Sequence, residues 1–191
     1  MNTELLKEHF TQWNDFLHCY NYSGYAIVDR VKELAPNASV VLDVGCGFNR
    51  FKNKISNLIG CDIVNPSADL VMDFMQLPLE KCSIDCILAL GSVNFFSKEF
   101  VLRQIGFLHS LLKPGGYILF RGNPGEYGIA DRSKITLFPW STDAIGEIAD
   151  RVGFRVLTIQ KDYIDFDRVP EKYRQYKAAD SFRYYWEYQK L

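Results

Sequence analysis

Val40-Val-Leu-Asp-Val-Gly-Cys-Gly47 is a short apolar run that passes without a break into a turn carrying glycines at 45 and 47. An uninterrupted run of this length suits a strand covered on both faces, as in a parallel sheet. A glycine turn directly behind such a strand lets backbone approach a bulky ligand, and an acid at the end of the next strand can hold a ribose diol. That acid is Asp62, behind Leu58-Ile-Gly-Cys61, and it follows Asp43 by 19 residues (62 − 43). The interval is compatible with the roughly 20 residues of the dinucleotide fingerprint. By themselves the turn and the acid support only some nucleoside-containing ligand. A nicotinamide or flavin fingerprint would place Arg50 at its third glycine, where a bulky cation fits poorly with close packing of helix on strand.

Further apolar runs follow at Leu70-Val-Met72, Cys86-Ile-Leu-Ala-Leu90 and Tyr117-Ile-Leu-Phe120. Between the last two, Phe100, Leu102, Ile105, Leu108, Leu111 and Leu112 form a helical stripe that ends at Lys113-Pro-Gly-Gly116, which predicts a β-α-β crossover. Upstream, Leu6, Phe10, Trp13 and Leu17 predict one helix with Thr3 as its N-cap, and Tyr25, Ile27, Val28, Val31 and Leu34 a second that Pro36-Asn37 stops. Downstream, Ser141 or Thr142 caps a helix through Val152, Gly153 closes it, and Phe154-Arg-Val-Leu-Thr-Ile159 reads as a strand. Ser181-Phe-Arg-Tyr-Tyr-Trp-Glu-Tyr188 reads as a last strand, antiparallel to the preceding one. Residues 48–57 and 63–70 leave little room for helices, so the first and second crossovers are expected to be short. No linker or repeat divides the chain. The expectation is one domain over 1–191, with helices in 1–37 as a lid and an α/β core in 38–191.

Val41-Leu-Asp-Val-Gly-Cys-Gly47 resembles the first motif of class I S-adenosylmethionine (SAM) methyltransferases, and further motifs follow in order. Ile59-Gly-Cys-Asp-Ile63 looks like the second. Met72-Asp-Phe74 followed by Leu77-Pro-Leu79 resembles the adenine-binding turn. Ser83-Ile-Asp-Cys-Ile-Leu88 resembles the fourth strand, and Leu111-Leu-Lys-Pro-Gly-Gly-Tyr-Ile118 the approach to the fifth. The resemblance covers roughly residues 38–160. It implies a Rossmann-like α/β fold: a mostly parallel seven-stranded sheet with helices on both faces, a three-layer sandwich, and an antiparallel last strand. It also implies a SAM-dependent methyltransferase that releases S-adenosylhomocysteine after moving a methyl group to an N, O or S acceptor. Asp43 would meet the SAM amino group, and Gly45, Cys46, Gly47 and Asn49 would form the turn around the methionine moiety. Asp62 with Ile63 would hold the ribose, Asp73 and Phe74 the adenine, and Leu90, Gly91 and Ser92 would line the methionine side.

Where many family members have a third glycine this chain has Asn49, a residue that can adopt a left-handed backbone at modest cost. Some small members place histidine and glutamate after the fourth strand; here the sequence is Gly91-Ser-Val-Asn94-Phe-Phe96. Displacement from a sulfonium needs no base when the acceptor is already nucleophilic, which leans towards N or S. Candidates for proton transfer are Glu126 and Tyr127, and Asn94 is a further catalytic candidate. Tyr22, Tyr25, Asn94, Asn123 and Trp140 are candidates for the acceptor pocket, where aromatic rings could stack on a planar group. Asn123-Pro124-Gly125 is similar to the Asn-Pro-Pro-aromatic motif of base-modifying enzymes, but it follows the fifth strand, not the fourth, and reads as a turn.

The composition carries 48% hydrophobic and 15% aromatic residues and a net charge of −1, which gives no overall attraction to polyanions. Arg50, Lys52 and Lys54, and later Arg168, Lys172, Arg174, Lys177 and Arg183, make local basic runs, the latter interleaved with acids. RNA or DNA therefore ranks below a small molecule or protein side chain as acceptor. Five cysteines without a C-x-x-C pair, and three histidines in helical segments, predict reduced thiols and no metal. The first ten residues mix acids with apolar residues and form no membrane span or secretory signal, which makes the cytoplasm the expected location.

Overall fold

Seven strands form one sheet in the order β3-β2-β1-β4-β5-β7-β6 in a computed structural model that describes residues 2–11, 23–36, 39–124, 135–163 and 182–191. The strands are β1 Val41–Val44, β2 Leu58–Asp62, β3 Leu70–Val71, β4 Ile84–Leu90, β5 Leu112–Gly122, β6 Phe154–Tyr163 and β7 Phe182–Lys190. β1 to β5 pair in parallel, while β7 inserts between β5 and β6, antiparallel to both. The order reverses between β1 and β4, leaving a crevice at the carboxyl ends of these strands, where ligands of open α/β sheets bind.

The helices are α1 Asn2–Thr11, α2 Ser23–Leu34, α3 Lys98–Leu111 and α4 Thr142–Val152. Alternation along the strands divides the core into two faces. Leu42, Val44, Ile87, Ala89, Ile118, Phe120, Trp186 and Tyr188 join Ile105, Leu108, Ile145 and Ile148 of α3 and α4. Val41, Leu58, Cys86, Leu88 and Leu119 meet Ile27, Val28 and Val31 of α2 on the other side. Burying each such aliphatic side chain contributes about 1.5–3 kcal/mol.

Ser141 Oγ accepts from Ala144 N (3.1 Å), and Gly153 ends α4 in a left-handed conformation at φ 91°. Ser97 caps α3 in the same way, accepting from Phe100 N at 3.3 Å. Residues 45–57 and 63–69 hold turns without an α-helix, and a single 3-10 turn, Phe74–Gln76, lies between β3 and β4. The short first and second crossovers thus lose their helices altogether.

One local reading changes: Thr3 lies inside α1 and its hydroxyl is spent on a distant partner. The helical stripe ends at Leu111, ahead of Lys113-Pro-Gly-Gly116, and β5 takes up that stretch as an irregularity in its pairing with β4, with Gly115 at φ 75°. Lys113 Nζ donates to both oxygens of Asp85 at 2.9 Å, and Asp85 Oδ2 also accepts from Val40 N at 2.8 Å. This clamp ties the amino ends of β1, β4 and β5 together, far from the crevice.

Arg30 of α2 donates through Nε and Nη2 to the two oxygens of the buried Glu187 on β7, at 2.9 and 2.8 Å, and Tyr185 Oη adds a third bond at 2.6 Å. The fork fits carboxylate geometry and pins the helix to the antiparallel strand. Among the described residues no helix is long and apolar enough to cross a membrane, and no three potential metal ligands converge. Cys46, Cys61, Cys82 and Cys86 are free thiols; Cys19 lies outside the described residues.

Candidate active site at the carboxyl edge of the sheet

The turn after β1 is built by backbone. Gly45 N and Cys46 N both donate to Cys61 O, at 2.7 and 3.0 Å, and Gly47 N donates to Asp62 Oδ2 at 2.9 Å. Asp62 Oδ1 accepts from Val64 N (3.0 Å) and Asn65 N (2.8 Å). The carboxylate that the sequence assigns to a ribose therefore also shapes the two turns around it. A carboxylate offers about four acceptor positions, so a further donor still finds a lone pair on Asp62.

Gly45 stands at φ 72°, and a Cβ there would lie 2.6 Å from Ser92 Cβ, so the turns after β1 and β4 touch through a missing side chain. Gly47 (φ 54°) and Gly91 (φ 111°) also require the left-handed region, yet open space lies where their side chains would stand. Those two positions flank a cleft lined by bare backbone. Ser92 Oγ is buried there without a hydrogen-bond partner among the described residues.

Asp43 is 3% exposed and its carboxylate makes no hydrogen bond among the described residues. Burial, reinforced by the nearby Asp62 charge, pushes its pKa up to about 7. A buried carboxylate of this kind is stabilised by a cation or a strong donor arriving from the cleft. Cys46 beside it is no nucleophile, because burial, Asp43 and Asp62 push its thiol up and keep it protonated.

Asp73 caps the 3-10 turn, its Oδ1 accepting from Met75 N at 3.0 Å, while Oδ2 accepts from Thr3 Oγ1 of α1 at 2.8 Å. Phe74 behind it is buried. The same helix lays Leu6 and Phe10 on Ile63, Phe95, Phe96 and Ile135, with the Phe10 and Phe95 rings edge to face at 5.5 Å. α1 thereby spans the turns after β2, β3 and β4.

Asn49 adopts φ 53°, the left-handed backbone expected of it in place of a glycine. Its side chain is spent away from the cleft: it covers Gly60, and Nδ2 donates to Ser67 O (3.2 Å) and Asp69 Oδ2 (3.3 Å).

The acceptor candidates separate. Asn94 is 4% exposed; its Oδ1 accepts from Asn123 N at 3.0 Å and its carbonyl from Phe138 N at 2.9 Å. Trp140 is not at a pocket mouth. It is 1% exposed, packed 4.5 Å from Trp186 and 4.8 Å from Phe138, and its indole occupies the space a side chain at Gly122 would need. Its bulk is used to fill the core behind β5. Tyr25 lies in the first turn of α2, whereas Tyr22, Glu126 and Tyr127 lie outside the described residues.

Residues 42–120, from β1 to β5, match the family model of a methyltransferase domain. Over those residues the chain is similar to a methyltransferase domain, and they span the parallel part of the seven-stranded sheet. No curated protein matches it by sequence. Among solved structures, the chain is similar to the Burkholderia thailandensis 1,6-didemethyltoxoflavin-N1-methyltransferase, solved with 1,6-didemethyltoxoflavin and S-adenosylhomocysteine. The TM-score is 0.71 at 14% identity, over 100% of this chain and 89% of the other. A Haloferax volcanii putative methyltransferase, solved with the Trm112 methyltransferase activator, gives 0.73 at 16% identity over 97% of both chains. The [4+2]-cyclase SpnF gives 0.64 at 16% identity, covering 98% and 92%. Identities this low speak for the fold, and a methyltransferase-like fold that hosts a cyclase means that chemistry must be argued from the site.

Proposed function

We propose that this methyltransferase domain binds SAM along the carboxyl edge of β1, β2 and β3 and moves its methyl group to a nucleophilic N or S atom of a small molecule or protein side chain. The observation that carries the reading is Asp43: a buried carboxylate without a hydrogen bond among the described residues, beside bare backbone at Gly47 and Gly91. The α-amino group of SAM is the cation such a carboxylate calls for. Asp62 would orient the ribose, Asp73 and Phe74 the adenine, and Gly91 with the unpartnered Ser92 hydroxyl the methionine side.

When bound, SAM supplies an electrophilic methyl group on a sulfonium sulfur. The chain's own residues contribute position and exclusion of water. Gly45 in contact with Ser92 sets the width of the cleft, and α1, fastened through Thr3 and Phe10, shields its upper side. Asn94, the one described catalytic candidate, is a carboxamide that cannot act as a base, and its side-chain Oδ1 is committed to Asn123 N, which favours an acceptor that keeps a free lone pair without a base. A cytoplasmic location is part of the same reading, supported by free thiols among the described cysteines.

Isothermal calorimetry with SAM and with S-adenosylhomocysteine tests the reading. Both should bind. Failure of both would end the enzyme assignment, and binding without turnover over a broad acceptor panel would make the protein a SAM-binding module.

A further inference from the structure

At the carboxyl edge of the sheet a third segment stitches together the turns that follow β4 and β5. Phe96 N donates to Thr136 O at 2.8 Å and Phe138 N to Asn94 O at 2.9 Å, so that Phe95 pairs antiparallel with Leu137. Trp140 N donates to Asn123 O at 3.1 Å, and Asn123 N donates to Asn94 Oδ1 at 3.0 Å. Asn94 is therefore held twice, by its carbonyl and by its side chain, shortly beyond Gly91.

The bond from Asn123 N fixes which end of the Asn94 carboxamide is oxygen, because a backbone N–H only donates. The other end, Nδ2, carries two donors. Asn94 is 4% exposed, yet Nδ2 has no hydrogen-bond partner among the described residues. Nor is it sealed away from solvent, as the unpartnered Ser92 Oγ is, so the amide nitrogen keeps an outlet from a side chain that is otherwise buried. Stitching the turns uses the oxygen alone. The donors are oriented by that bond and left for a ligand.

The segment that holds Asn94 also carries an apolar wall. Phe95 and Ile135 are buried with Leu6 of α1, and Phe10, Phe96 and Leu137 pack against them. Gly91, by contrast, opens onto empty space: it stands at φ 111°, and nothing lies within 4 Å of where its side chain would be. A fixed N–H donor between apolar rings and bare backbone suits an uncharged group with a lone pair. An ammonium has none to offer, and an ionised acceptor is costly to bury beside the rings without a counter-charge.

We propose that Asn94 is a specificity-determining residue, whose Nδ2 donates to a carbonyl oxygen or ring nitrogen of an uncharged, largely apolar methyl acceptor seated next to Gly91. The bond positions the nucleophile for the methyl group, and Asn94 takes no proton. This assignment rests on the methyltransferase reading, because it places the methyl group beside Gly91 and Ser92.

Nitrogen–proton NMR of the full chain saturated with S-adenosylhomocysteine tests it, with the Asn94 side-chain pair assigned through bonds from its own backbone amide. Three probes are titrated: benzamide, which offers a carbonyl; toluene, which has the ring without it; and benzylamine, which brings a cation. Benzamide should move the pair saturably, and toluene and benzylamine should not. No response to benzamide, or an equal response to toluene, overturns the assignment. Asn94→Asp keeps an oxygen for Asn123 N and loses the donor, so benzamide affinity, read on the backbone signals of Phe95 and Phe96, should fall roughly tenfold or more. Equal affinity in that variant also overturns it, and the wild-type titration decides alone if the variant does not fold. If S-adenosylhomocysteine by itself moves the pair and benzamide moves it no further, the donor belongs to the cofactor and the acceptor assignment falls. Calorimetry of S-adenosylhomocysteine on the same protein separates the two readings. Its binding without a benzamide response removes the role of Asn94 alone, whereas its failure to bind removes the methyltransferase reading and this assignment with it.

Discussion

The β1-β2-β3 half of the sheet edge and the β5-β7-β6 half are built by different means and carry opposite charge. In the first, Asp43, Asp62 and Asp73 sit at the ends of three successive short strands, joined by turns whose backbone N–H groups the Asp62 and Asp73 carboxylates hold. In the second, Arg121 lies on a long strand of the parallel sheet and receives Arg183 and Asp162 from an antiparallel pair more than 35 residues further along the chain. The acidic half is assembled locally, motif by motif. The basic half exists only because β7 slides between β5 and β6.

The largest expected effect lies in the second half. Trp140→Ala should cost about 3–5 kcal/mol in chemical denaturation, because it empties the core against Trp186 and Phe138. A cost below about 1 kcal/mol would return Trp140 to the acceptor mouth. In the first half, Asp62→Ala leaves three backbone N–H groups and the ribose short of an acceptor. SAM binding by calorimetry should weaken by about 1–3 kcal/mol, roughly five- to hundredfold in Kd. Unchanged affinity would place the cofactor elsewhere.

Asp43 distinguishes the halves by pH. Its pKa rises from 3.8 to about 7 on folding, so below about 4 its contribution to stability is fully present, and it is lost as pH rises through 7. SAM affinity should run the other way, increasing up to about tenfold per pH unit below 7 and levelling above it, as the carboxylate ionises for the amino group. Calorimetry from about pH 5.5 to 8.5 in buffers of differing ionisation enthalpy reads both the slope and the released proton. A flat profile would exclude Asp43 as the partner. The smallest effect is expected at Thr3→Ala, which removes one part-buried hydrogen bond to Asp73 and should lower stability by about 0.5–1.5 kcal/mol. A gain in SAM affinity there would mean that α1 competes with adenine for Asp73.

Most of the acidic half is legible in the sequence, since its residues follow strand runs at fixed short intervals. Asn49 shows the limit: its left-handed backbone was expected from residue type, but the direction of its side chain, over Gly60 and towards Asp69, depends on where β2 and the 67–69 turn lie. Thr3 reads as a helix cap because capping is local, whereas its bond to Asp73 spans 70 positions. A legible signal for the basic half does exist: a lone arginine inside Leu119-Phe-Arg-Gly122, in a run otherwise fit for burial. Its partners are not legible, because Asp162 and Arg183 become neighbours only through strand register.

From the sequence alone came the short strands fit for a parallel sheet, the glycine turn and the three acids that follow the strands, because short apolar runs, glycine turns and helix caps act over a few residues. Tertiary structure alone decided that Trp140 is core, that Glu187 locks α2 through Arg30, and that Arg121 and Arg183 share Asp162. Those outcomes depend on which face a strand presents after it is inserted, and a shift of one residue in β7 would exchange Arg183 and Glu187 for Tyr184 and Tyr188.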